Sequence, residues 1–207
     1  MFRLQYVSNL HLHKYEKAIF PLLVRPAARY LALAGNIGMP STVYNSFLDY
    51  TSRYWDHIFY VAGQTERLIN IETIVKQYKN ITILNDNNPS LYLPRDNVSI
   101  IGASPNDCRL QEQINRWSLQ QANLCVITHE PPVKAFCTPN MRVWITSGEA
   151  VSEHANLSHK CITVVNGRGQ CETPSPKYST TAIVEFPIKY PDPNLDPLLV
   201  DSATGYQ

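Results

Sequence analysis

Two histidines, His11 and His129, each follow an apolar run and sit among amides and carboxylates. Four apolar runs end in patterned polar blocks: Ser8-Asn9-Leu10-His11, Gly35-Asn36-Ile37-Gly38, Gly63-Gln64-Thr65-Glu66 and Thr128-His129-Glu130-Pro131-Pro132. Imidazoles, amide carbonyls and a nearby carboxylate are the groups that ligate a divalent cation or move a proton. The residues allow a mononuclear site of His11 and His129 with Glu130 or Glu66, helped by Asn9 and Asn36. Two histidines alone fall short of the three or four protein ligands that zinc sites use. His13, two residues beyond His11, is expected to face solvent. Arg168, in the glycine-flanked turn Asn166-Gly167-Arg168-Gly169-Gln170, is a surface arginine or an anion ligand. No serine or cysteine sits in a strand–turn–helix elbow beside a base, so acyl-transfer chemistry has no nucleophile here.

These blocks need strands and helices to position them. Phe2–Val7 is a short β-prone run. Tyr30–Ala34, closed by Gly35, is continuously apolar, as expected for a strand buried on both faces. Strands are also expected over His57–Val61, Ile81–Leu84, Leu91–Leu93, Val98–Ile101, Leu124–Thr128, Arg142–Ile145, Cys161–Val165 and Thr181–Glu185. The spacing of Val43, Phe47, Tyr50 and Tyr54 predicts a helix from Ser41 to Trp55, with Ser41 as N-cap. Further helices are expected over Glu66–Tyr78 and Leu110–Ala122, while Tyr15–Leu23 is too mixed to assign. Trp55, Trp117 and Trp144 are core or helix–sheet contacts. Strands alternating with helices, then strands alone, describe an α/β layered domain with its chemistry at the strand exits.

The ordered blocks resemble the calcineurin-like metallophosphoesterases, whose signatures are D-x-H, G-D, G-N-H-E/D, a lone histidine after a strand, and G-H-x-H. The match extends through LQYVSNLHL, YLALAGNIG, YWDHIFYVAGQTE, IIGAS, NDCRL, VITHEPP, VWITSGEA and VNGRGQ to Asp192–Val200. The resemblance implies two central mixed sheets flanked by helices, and a dinuclear metal site that clamps a phosphate ester for in-line attack. It also locates the losses. Asn9 and Asn36 stand where the family has its first and bridging aspartates, Gln64 replaces the amide ligand, and Thr65 replaces the catalytic histidine. Gly148 and Ala150 fall on G-H-x-H, although a one-residue shift would bring in Glu149. Only His11 and His129 survive in register, and Glu66 keeps the acidic residue that fixes the loop at a helix start. With both anionic ligands neutral, two cations would face each other almost unscreened. The resemblance thus implies a relic pocket in which the two histidines hydrogen-bond to the asparagines.

Composition agrees with a folded domain: 207 residues, 44% hydrophobic and 17% charged. The net charge of +1 carries no electrostatic signature of nucleic-acid binding. The five cysteines form no CxxC pair and no zinc spacing, and with no signal peptide visible they are expected to be reduced thiols. The N-x-S/T triplets at Asn80, Asn97 and Asn156 are read as chance matches. No apolar run is long enough to span a bilayer. A metallophosphoesterase-like domain is expected over 1–186 and a Pro-rich extended tail over 187–207.

These observations favour a catalytically inactive or severely impaired phosphoesterase-fold protein kept as a binding or structural module. It would have protein partners in an assembly such as a viral particle, a cytoplasmic or virion location, and no cofactor. The alternatives are a weak phosphodiesterase using a single manganese, zinc or iron on His11 and His129, and a non-hydrolytic phosphate or nucleotide binder.

Overall fold

The computed structural model describes residues 1–67, 69, 71–103, 108–120, 122–132, 134–147, 154–156, 161–169 and 174–190. Two sheets stack face to face with helices outside them. The first has the order β11-β1-β2-β3-β4, built from β1 (Phe2–Val7), β2 (Tyr30–Ala34), β3 (His57–Val61), β4 (Ile81–Leu84) and β11 (Ile183–Phe186). The second has the order β5-β6-β7-β8-β10-β9, built from β5 (Ser90–Leu93), β6 (Val98–Gly102), β7 (Asn123–Thr128), β8 (Met141–Thr146), β9 (His154–Asn156) and β10 (Ile162–Val165). Strands β1 to β4 run parallel with β11 against them, and β6, β7, β8 and β10 run parallel between antiparallel β5 and β9.

Both faces of the central strands are apolar because both are covered. In β2, Ala32 and Ala34 face the second sheet, whereas Leu31 and Leu33 face the helices. In β7 the inner residues are Cys125 and Ile127, and Leu124 and Val126 point outward. This two-residue alternation within a continuous apolar run is what a sheet covered on both sides requires. Three clusters result: one between the sheets, one under α1 (Phe20–Leu23), α2 (Thr42–Tyr54) and α4 (Ile71–Val75), and one under α5 (Cys108–Leu119). Trp55, Trp117 and Trp144 are all buried in them.

The expected helix over Glu66–Tyr78 is instead two short ones, α3 (Gln64–Arg67) and α4. Between them the amide of Ile69 bonds to the Glu66 carbonyl at 3.0 Å and that of Ile71 to the Ile69 carbonyl at 2.9 Å, so the i to i−4 ladder is interrupted. Within Tyr15–Leu23 only α1 is helical, preceded by a 3-10 turn at Leu12–Lys14. β9, three residues long, has no counterpart among the expected strands. Past β11, Ile188 packs on the inter-sheet core, and the Lys189 carbonyl accepts from the side-chain amides of Asn97 and Asn123 at 2.6 and 2.7 Å. Most of the expected tail, 191–207, lies outside the described residues.

Candidate functional site: the junction of the two sheets

Parallel strands end together, so the loops after β1, β2 and β3 meet those after β7 and β8 at one edge of the sandwich. The β1 and β2 exits are woven together: Asn9 N–H bonds to Gly35 O at 3.0 Å, His11 N–H to Asn36 O at 3.0 Å, and Leu12 N–H to Ile37 O at 2.8 Å. The weave needs left-handed backbone at Asn9 (φ 51°), His11 (φ 50°), Gly35 (φ 81°) and Asn36 (φ 52°). Asparagine tolerates that region better than most residues. At Gly35 there is a second constraint. A Cβ there would lie 2.6 Å from Nδ1 of His129, so a side chain from the second sheet packs directly on the first sheet's exit.

Glu66 organises the next two loops. It is fully buried and accepts backbone N–H bonds from Asn36 (3.1 Å), Gly38 (2.9 Å) and Gly63 (2.9 Å). The hydroxyl of Tyr60 donates to it at 3.4 Å and that of Tyr44 donates to Tyr60 at 3.1 Å. Burial raises the Glu66 carboxyl above its ordinary value, opposed by the bonds from the loop amides. Both carboxyl oxygens serve the loops, the structural role expected from the sequence.

The substituted positions form a relay of amides. Asn36 Nδ2 donates to Asn9 Oδ1 at 3.1 Å, and Asn9 Nδ2 donates to the carbonyl of Ser147 at 2.5 Å. Ser8 Oγ donates to the same carbonyl at 3.3 Å. Ser147 follows β8, so the relay ties the exit of β1 to that of β8, across the two sheets. The Ser147 hydroxyl lies 2.5 Å from Nδ1 of His129 and 2.6 Å from its carbonyl. With one proton, it donates to Nδ1, or it donates to the carbonyl and receives Nδ1–H. In either case Nδ1 is engaged. Ser147 is the residue that sequence reasoning missed. Its only signal was its place at the glycine of the family's G-H-x-H, immediately before the first histidine position.

The histidines are therefore placed differently from the expectation. His129 pairs with Ser147, while Asn9 pairs with Asn36 and with the Ser147 carbonyl. His11 is half-buried, with its ring edge-on to that of His13 at 6.0 Å. Burial lowers the His11 pKa, helped by Lys14, His13 and His129. Burial also lowers that of His129, with Glu130 opposing and Arg67 assisting. His13 is not solvent-facing: it is half-buried and its Nδ1 is out of solvent without a partner. Glu130 pairs with Arg67 at 3.2 Å. Gln64 is exposed at the start of α3, and Thr65 follows it in that helix. Gly148, Glu149 and Ala150 lie outside the described residues. Arg168 is half-buried, with its guanidinium 5.3 Å from the Tyr15 ring centroid and donating to the Tyr15 hydroxyl.

Two divalent cations would need anionic oxygens facing the space between the sheets. Asn9 and Asn36 supply no charge there, and the Glu66 carboxylate is spent on backbone amides. Among the described residues no three His, Cys, Asp or Glu side chains converge. Among the described residues, the donor set does not fit a dinuclear centre.

No family model matches the sequence, and neither does any curated protein. Among solved structures, the chain is similar to a phosphopantetheinyl hydrolase from Mycobacterium tuberculosis, with a TM-score of 0.59 and 12% identity. The superposition covers 94% of this chain and 98% of that one. The layered phosphoesterase-like hydrolase architecture is therefore shared, and at this identity the likeness concerns the fold.

Proposed function

We propose that this chain is a catalytically inactive phosphoesterase-fold protein that works as a binding or structural module in a protein assembly. The observation that carries the reading is the relay from Asn36 through Asn9 to the Ser147 carbonyl. An aspartate at position 9 could not donate to that carbonyl; its oxygen would face another oxygen. The amides close, with hydrogen bonds between the sheets, the space that metal-bridging carboxylates would hold open. The chemistry of the pocket is spent on cohesion, so function is left to the surface.

A protein partner is supported by apolar side chains left in solvent along α1 and α2. Ile19 and Leu22 are each 68% exposed and Tyr54 60%. Tyr54 lines, with Phe20 and Tyr50 among others, a depression of about 340 Å³. The Phe20 and Tyr50 rings lie 5.5 Å apart and those of Tyr50 and Tyr54 4.9 Å. An exposed Tyr54 continuous with the half-buried rings of Phe20 and Tyr50 suits a protein interface better than open water.

Two assays separate this reading from a weak one-metal phosphodiesterase. The purified chain, supplied with manganese, zinc or iron, should hydrolyse a generic phosphodiester no faster than the metal alone. Turnover that disappears in His129→Ala would overturn inactivity. Extraction under native conditions should recover the chain in a stable complex that Leu22→Asp weakens; a monomer without partners would remove the assembly role.

A further inference from the structure

Among the described residues, three free thiols, those of Cys125, Cys137 and Cys161, lie in or beside the second sheet, away from the site above. Cys125 points into the inter-sheet core and is sealed there. The other two share the outer face. Cys137 follows the 3-10 turn Lys134–Phe136 that leads to β8, and Cys161 immediately precedes β10. β8 and β10 are parallel neighbours, with Val143 opposite Ile162, so both cysteines sit at the entry ends of adjacent strands. Cys161 is fully buried in the cluster of Leu124, Met141 and Trp144, and Phe136 and Cys137 pack against that same cluster. Cys137 is near enough to act on the Cys161 thiol, which it helps hold in the protonated form. Nothing in the sequence spacing marks them as a pair.

We propose that Cys137 and Cys161 are a modification site: an oxidant of the hydroperoxide class joins them in a disulfide that staples the loop before β8 to the start of β10. The unequal exposure of the two sulfurs sets the order of events. Cys137, partly exposed, is the sulfur a small oxidant reaches. Its sulfur attacks one peroxide oxygen and the O–O bond breaks. The departing hydroxide takes the thiol proton as water, which leaves a sulfenic acid. The Cys161 sulfur then attacks the Cys137 sulfur. The S–S bond forms, the S–O bond breaks, and the second hydroxide leaves as water with the Cys161 proton. Two electrons pass from the two sulfurs to one peroxide. Burial, and then Cys137, push the Cys161 thiol up to about 12, which keeps it protonated and shielded from direct oxidation, so Cys137 is oxidised first.

The test uses the full chain, treated with hydrogen peroxide, alkylated, digested and mapped by mass spectrometry. The expected product is a cross-linked peptide pair containing Cys137 and Cys161, reversed by dithiothreitol and absent in Cys137→Ser. The cross-linked form should melt roughly 5–10 °C higher than the reduced form. Cys161→Ala should leave Cys137 as a sulfenic acid that dimedone traps; if that variant does not fold, the wild-type map and Cys137→Ser decide alone. Recovery of both residues as alkylated thiols, at an oxidant dose that converts a free-cysteine control peptide, would overturn the proposal. So would pairing of Cys137 with Cys108, Cys125 or Cys171.

Discussion

At the residue scale, the difference between an aspartate and an asparagine decides what position 9 can do. The two side chains have the same shape, but only the amide can donate to the Ser147 carbonyl 2.5 Å away. Asn9→Asp should therefore lower stability by about 1–3 kcal/mol at neutral pH, because two oxygens are pressed together in a buried site. The deficit should shrink as pH falls through the raised folded pKa of the buried carboxyl, and be gone near its unfolded value at about pH 4. Denaturant titrations of the two proteins at neutral and acid pH check this. A neutral or stabilising effect would mean the relay is incidental.

The histidines make a second residue-scale prediction. The folded pKa values of His11 and His129 lie below 6.5, mainly through burial. In the window between those values and the unfolded one, the unfolded chain holds more protons, so stability rises with pH there. The contribution is complete above the unfolded pKa and is lost as pH falls towards the folded values. Thermal midpoints should drop between about pH 7 and about pH 5. Replacing both histidines with glutamine should flatten that part of the curve. An unchanged slope would contradict the assignment.

At the scale of elements, the sequence was most legible where a single local force decides. The bounds of β2, β3 and β4 could be read directly, since each is a run of apolar residues with a turn behind it. The start of α2 was equally clear: the Ser41 side chain accepts from Tyr44 N–H at 3.1 Å, as an N-cap should. Ser41→Ala should cost about 1 kcal/mol. That is roughly 2–4 °C in the thermal midpoint. Elements shaped by tertiary contacts were harder to read. α3 and α4 were expected as one helix, but the Glu66 carboxylate turns back to the amides of Asn36, Gly38 and Gly63, and the helix breaks just beyond it. β9 exists through its pairing with β10, and its three residues, His154–Asn156, carry no pattern of their own. Ser147 escaped notice because its importance lies in which carbonyl it presents, and no residue type encodes that.

At the scale of the whole molecule, the strand exits bring together Asn9, Asn36 and His129, as their order in the sequence implied, with Glu66 bracing the loops behind them. The sequence left open how those residues would bond. The sheets are joined at this edge by neutral hydrogen bonds, so divalent ions should have little to gain from the folded state. Any ion that binds the native protein and not the unfolded chain raises the melting temperature in a saturable way. The most direct measurement is therefore the thermal midpoint of the wild-type chain titrated with manganese, zinc and ferrous iron to about 1 mM, far above the dissociation constant of a working metal site. The account predicts a flat midpoint for all three ions. A saturable rise that vanishes in His129→Ala would contradict it.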